Sequence, residues 1–313
     1  MILRKWINKN KLNGWFLSRN PNAIEFLREN PEIIDWKQLS LNPNAIELLK
    51  ENIDYIEWFE LSENTNAIEL LEANPDKINW KILSANPNAI ELLKANVEKI
   101  DWNYISENPN AIELIESNQD KIFWKFLSLN KNAIHILKNN IDKINWSLLS
   151  NNPSGIEILK NHFGNIDWYE LSENPNAIEL LKENLNKINW NQLCLNESPE
   201  AIKLLESNFN KINWYYLSYN PIAINLLIKN FNKIIWSNLS KNENAIELLE
   251  ANPDKIDWNQ ISRNPAIFTY DYDLIKERKK ELNEEIYIKS LHPKRMLKLM
   301  QEYGEDEIYN CYF

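Results

Sequence analysis

Metal binding and covalent catalysis draw first on histidine and cysteine, and this chain has three of one and two of the other. His135, His162 and His292 are scattered, with no spacing that puts two of them on one helix face. A zinc site needs about four ligands held close together, so these residues predict no metal centre. Cys194 and Cys311 lie far apart in sequence. Cys194 stands where a repeating pattern has Ser, which predicts a buried free thiol, and such sparse cysteine suits a reducing compartment. No phosphate-cradling glycine loop, dinucleotide fingerprint or H-E-x-x-H metalloprotease motif is present. Carboxylates are plentiful, but Glu47, Glu69, Glu91, Glu113, Glu157, Glu179 and Glu247 recur at fixed spacing. A charge repeated that way reads as helix-dipole support, since no single pair is set apart for acid–base work. Lys77, Lys99, Lys121, Lys143, Lys187, Lys211, Lys233 and Lys255 form a second column, read as solvated or ion-paired because Asp76, Asp120, Asp142 and Asp254 adjoin it. The chain is therefore expected not to be an enzyme: catalytic residues none, cofactors none, metal none.

The elements carrying these columns follow from one unit. Asn79 to Ile100 reads N-W-K-I-L-S-A-N-P-N-A-I-E-L-L-K-A-N-V-E-K-I, and Asp101-Trp102 begins it again. Trp36, Trp58, Trp80, Trp102, Trp124, Trp146, Trp168, Trp190, Trp214, Trp236 and Trp258 mark the register; a first, degenerate copy has Gly14 at the Trp position and Leu17-Ser18 in place. An Asn stands two residues after each Ser or its substitute, from Asn20 and Asn42 through to Asn264. Its presence in every copy points to backbone capping and to holding the stack together. Repeats of this length signify a solenoid.

Within the unit, Asn79 or its Asp equivalents can cap a first helix. Trp80 and Leu83 lie on one face of it. Ala89, Ile90, Leu92 and Leu93 have helical spacing on a second helix. Pro87 suits that helix's first turn, and either Asn86 or Asn88 can cap it. Asn96 suits a left-handed helix end. Helices of about six and ten residues are marginal alone, so they must bury their stripes on neighbouring copies. Full burial of each indole would contribute roughly 4–6 kcal/mol, making the Trp column the expected main adhesive.

The predicted fold is all-α: an α-solenoid of about twelve 22-residue helix-pair repeats. Residues 1–11 are read as an N-terminal cap, 12–264 as the solenoid and 265–313 as a helical C-terminal cap, with candidate helices over Leu274–Ile288 and His292–Tyr303. Terminal units of solenoids need shielding, and helices ~8–10 Å apart would make an elongated body on the order of 100 Å long. A leucine-rich-repeat horseshoe is the alternative, but Trp-x-x-Leu lacks its strand alternation. Gly155 and Gly164 are expected to loosen the stack, and two extra residues within Asn196–Glu200 to bulge harmlessly.

Net charge is −10 and the pI about 5.1, which disfavours nucleic acid. No apolar run approaches the ~18 residues of a membrane span, and the N-terminus lacks a signal-peptide core. A partner surface is expected among positions that vary between copies: the two residues after each Trp and the one after each Ser. Tyr215, Tyr216 and Tyr219 place three aromatics together there, and Phe126 and Tyr169 are further candidates. Tyrosine suits a binding hot spot because one end is apolar and the other hydrogen-bonds.

The signature W-x-x-L-S-x-N-P-N-A-I-E-L-L-K-x-N of Trp80–Asn96, with the closing stretch Asn264–Asp273 and Leu291–Arg295, resembles the Asn-rich 22-residue repeat proteins of giant DNA viruses such as the mimiviruses. The resemblance covers nearly the whole chain and brings no catalytic residues with it. It implies a viral origin and little about function; the repeat geometry and the absence of a catalytic site point to a protein–protein interaction scaffold, expected in the host cytoplasm or viral factory, or alternatively to a structural component of the virion.

Overall fold

The computed structural model describes residues 1–291 and, beyond them, residues 295, 296, 298 and 299. His292, Cys311 and most of the candidate helix over 292–303 lie outside the described residues. Two units are distinguished: Leu3–Phe268, and Met1–Ile2 with Thr269–Phe313. The second includes a 19-residue helix, Tyr272–Ser290, covering the predicted charged helical run.

Within Leu3–Phe268 the predicted repeat of short helix pairs is present. Trp80–Leu83 is a first helix of four residues and Ile90–Lys94 a second of five. Both are shorter than expected, because each unit also spends three residues on a 3₁₀ turn, here Val97–Lys99. Asn79 caps the first helix by accepting the Ile82 N–H. Pro87 precedes the second helix rather than opening it, in the turn that Asn86 caps by accepting the Asn88 N–H. Asn96 is not left-handed (φ −136°, ψ 51°); its side-chain amide instead donates to the Leu92 carbonyl and closes the second helix.

The buried spine differs from the expected one. The indoles are only half-buried, packed against the core along its margin. The fully enclosed column is the Leu three residues on, as in Leu39, Leu61, Leu83 and Leu127, with Ala45, Ala67 and Ala89 and the second-helix Leu49, Leu71 and Leu93. Members of the Lys column cover the outer faces of several of the Trp rings. The ammonium of Lys99 lies 4.5 Å from the Trp80 ring centroid, Lys121 4.7 Å from Trp102 and Lys143 4.4 Å from Trp124. Tyr55, in the same column, stacks on Trp36 at 4.8 Å. These lysines were read as solvated or paired with Asp; several instead make cation–π contacts, worth about 0.5–1 kcal/mol each at exposed sites.

Two hydrogen-bond ladders join the units. The Asn86 side-chain amide donates to the carbonyls of Ser62 and Asn64, and Asn108 does the same to Ser84 and Asn86. Each repeat Ser hydroxyl donates to the carbonyl four residues back, that of Trp or, for Ser18, Gly14, and accepts the backbone N–H that starts the next unit, as Ser84 does with Trp80 and Asp101. The asparagine column is thus both turn cap and joint.

The ladders have no ends. Asn20, in the first unit, donates to the carbonyls of Ser262 and Asn264, in the last. The Ser262 hydroxyl accepts the Asn13 N–H at 2.9 Å. Asn22 reaches the Pro265 carbonyl as Asn44 reaches that of Pro21. Lys11 lies over Trp258, 5.1 Å from its centroid, as Lys99 lies over Trp80. Unit twelve therefore packs on unit one as each unit packs on the next, and the solenoid is a closed ring of twelve. An array of this kind was expected to be elongated with its first unit shielded by residues 1–11; closure leaves no open end to shield. Its ~100 Å contour is a circumference instead, placing the axis on the order of 16 Å from the helix layer.

The twelfth unit is assembled from both ends of the repeat region. Its first helix is Trp258–Ile261, followed by the turn Pro265–Ile267. Its connecting turn is Lys9–Lys11, between Asn8 and Asn13. These residues, Asn8-Lys-Asn-Lys-Leu-Asn13, occupy the place of Asn74-Pro-Asp-Lys-Ile-Asn79. Where the other units have a second helix, this one has the two-stranded sheet of Ile2–Leu3 with Phe268–Thr269. Arg4 fastens it by donating its N–H to the Ile267 carbonyl and its Nε–H to that of Ala266.

The irregular copies are absorbed locally. Gly14 replaces Trp because a Cβ there would sit 2.1 Å from the Ile33 carbonyl oxygen. Gly155 likewise faces the Leu149 carbonyl and side chain; in its own copy Asn152 donates to the Ser128 carbonyl alone, and in the next Asn174 again reaches both Ser150 and Asn152. The two extra residues near Ser198 lengthen one second helix to nine residues, Pro199–Ser207, and Asn220 still reaches Cys194 and Asn196.

Candidate interaction surface

The ladders occupy the same positions in every copy, so what differs between units lies elsewhere. Most first helices expose the residue after Trp and half-bury the next, although Gln38, Glu60 and Asn238 are buried, and leave the residue after Ser exposed or half-buried. Adjacent units so placed create clefts. One is lined by Glu63, Ile82, Ala85, Asn86, Pro87 and Tyr104, with a volume of about 290 Å³. Another, of about 250 Å³, is lined by Trp15, Phe16, Arg19, Asn20 and Arg263. The frame of both is the same Asn turn; the variable columns alone set their chemistry.

The predicted surface residues divide by burial. Tyr215, Tyr219 and Tyr169 are about half exposed (55, 50 and 52%), whereas Tyr216 and Phe126 are half-buried. Tyr215 and Tyr216 meet edge-to-face at 5.3 Å, and the Tyr215 carbonyl accepts from Asn238 of the next unit. Tyr219 lines a cleft with Lys241, Glu197 and Glu243, and the lysine ammonium is 5.9 Å from its ring. Phe126 packs against Phe123 and Tyr104. Tyr169 stands a few units away from the Tyr215–Tyr219 group, so the five do not form one patch. Phe59, one of the variable positions after Trp that the sequence marks for a partner surface, is exposed in the column of Tyr169 and Tyr215; sequence reading missed Trp15 in that column, which tabulating it through the degenerate first copy would have found.

Charge is unevenly spread along the residue after Ser. Glu173 is the one carboxylate here whose pKa is raised, first by burial and then by Glu170 and Glu197 nearby. Arg263 and Arg19 stand in the same column on units twelve and one, neighbours only because the ring closes.

Histidine and cysteine are dispersed. His135 Nε2 lies 2.7 Å from a Glu116 carboxylate oxygen, and His162 rests on Trp146 with centroids 5.2 Å apart. Cys194 is buried and free, its thiol pushed up to about 11 chiefly by desolvation; its sulfur accepts the Asn213 N–H at 3.4 Å in place of the usual Ser hydroxyl. Among the described residues no three His, Cys, Asp or Glu side chains are grouped to hold a metal ion, and no helix is long and apolar enough to cross a membrane. No family model, curated protein or solved structure matches the chain.

Proposed function

We propose that this ring is a non-catalytic scaffold for protein partners, bound through the variable columns of its first helices. One observation carries the reading: joints of like construction hold clefts whose linings differ, with Tyr104 in one and Tyr219 in another, while Phe59, Tyr169 and Tyr215 stand about half exposed in the same variable columns. Rigid aromatics on a preorganised frame bind at low entropic cost. The resemblance of the repeat to giant-virus proteins supplies the setting, an infected cell's cytoplasm or viral factory. Packaging of the ring as a virion component is the competing setting, which mass spectrometry of purified particles decides. The binding test is affinity capture from infected cells with wild-type protein and a Tyr169→Ala/Tyr215→Ala/Tyr219→Ala variant of unchanged melting temperature. Partners retained by the first and lost by the second support the reading; identical sets, or none, refute it.

A further inference from the structure

We infer that the cleft at the ring's closure is a binding site for an acidic peptide segment of a partner protein. The inference rests on the scaffold reading and names the partner chemistry at one joint. Arg19 and Arg263 line the same cleft of about 250 Å³ with Trp15 and Phe16. The Arg263 guanidinium lies 3.9 Å from the Phe16 ring centroid and 5.7 Å from that of Trp15, so it is held in place by stacking. Stacking uses the faces of a guanidinium and leaves its in-plane N–H groups available for a carboxylate fork. Arg28 and Lys37 have carboxylate partners in Glu51 and Glu60; Arg19 and Arg263 have none among the described residues. Trp15 is 45% exposed and offers an apolar platform beside the two charges.

The contrast with the equivalent cleft at Glu63 is what makes the site selective. That cleft has the same frame, a carboxylate where Arg263 stands and Ala85 where Arg19 stands. Lys241, next along the column, shares its cleft with Glu197 and Glu243 and adds little local positive charge. On a chain of net charge −10, an anionic segment is repelled over most of the surface and drawn to this joint. Two guanidiniums match two carboxylate side chains, whereas a nucleic-acid backbone requires a longer basic track.

The test is fluorescence anisotropy of the full chain with a labelled Glu-rich peptide bearing one Phe, its Gln-substituted counterpart and a single-stranded oligonucleotide. The Glu peptide binds, more weakly at high salt, and the Gln peptide does not. Arg19→Glu and Arg263→Glu each weaken binding by about tenfold or more, while Lys125→Glu, the same charge change elsewhere on the ring, alters it by less than about twofold. Arg263→Gln, which removes charge without reversing it, gives an intermediate loss with unchanged circular dichroism. Failure of the Glu peptide to bind, equal losses with Lys125→Glu, or preferred binding of the oligonucleotide would overturn the assignment. Loss of the seam alone, with the tyrosine-dependent partners still captured, leaves the scaffold reading standing; capture of none removes both.

Discussion

The joint between units four and five and the joint between units twelve and one are made by the same bonds from very different stretches of chain. At the first, Asn108 reaches back 24 and 22 residues to the carbonyls of Ser84 and Asn86. At the second, Asn20 reaches 242 and 244 residues forward to Ser262 and Asn264. The bonds are equally buried in both places. What differs is the loop closed: the interior joint forms within one hairpin of chain, and the seam can form only after most of the ring has been ordered. Stability at a joint is then set by local geometry, whereas the order in which joints form is set by separation along the chain.

Matched substitutions break or sharpen that comparison. The largest effect is expected from the enclosed leucines: Leu83→Ala in the interior and Leu17→Ala beside the seam, both fully buried, should each cost about 2–5 kcal/mol in denaturant unfolding. An open array would make the terminal change much milder. Next, Asn108→Ala and Asn20→Ala each strip a buried Ser carbonyl of its amide donor and leave the Asn carbonyl beside it only the N–H of Ala89 or Ile267, and should each cost about 1–3 kcal/mol; hydrogen exchange at Asn13, whose N–H crosses the seam, measured beside that at Asp101 shows whether the seam is equally protected. Gly14→Ala places a methyl group against the Ile33 carbonyl and should cost about 1–3 kcal/mol, although alanine is the better helix former.

Cys194 gives the smallest change at neutral pH. Cys194→Ser restores the hydroxyl of the other joints and should shift stability by less than about 1 kcal/mol. Alkaline pH separates the pair. The folded thiol is raised from 9.0 to about 11 by burial, so the folded chain holds its proton after the unfolded chain has lost it. Stability from this group is complete below pH 9 and falls as pH rises towards 11, by up to roughly 2–3 kcal/mol. The difference between wild type and Cys194→Ser across that window isolates the thiol from the lysines and tyrosines titrating there; a flat difference would refute the sign.

The repeat, its helices and its register were legible because Trp, Leu-Ser, Asn and Ala-Ile recur at fixed spacing, and short amphipathic helices have nowhere else to bury their stripes. Closure was not legible in the same way, since it depends on a small rotation at each joint that no single residue encodes. One signal was available: Asn8 to Asn13 repeats the connector of Asn74 to Asn79, which makes residues 8–13 part of a unit rather than a cap. The depth of the indoles is not legible from residue type; the lysines 19 residues on, covering Trp80, Trp102 and Trp124, explain why aromatic rings can sit at a margin. Of the surface, Tyr169, Tyr215 and Tyr219 were legible as variable and exposed. The arginine pair was not, because Arg19 and Arg263 become neighbours only in the ring.

A ladder that returns to its own first rung fixes how many rungs there can be. Each of twelve joints turns the chain by about 30°, and eleven or thirteen copies would need about 33° or 28° at every one of them to return to the start. An open solenoid can gain or lose a copy at the cost of one interface. Here a single tandem duplication changes the angle at every joint by about 2–3° at once, so copy number is a property of the whole circle.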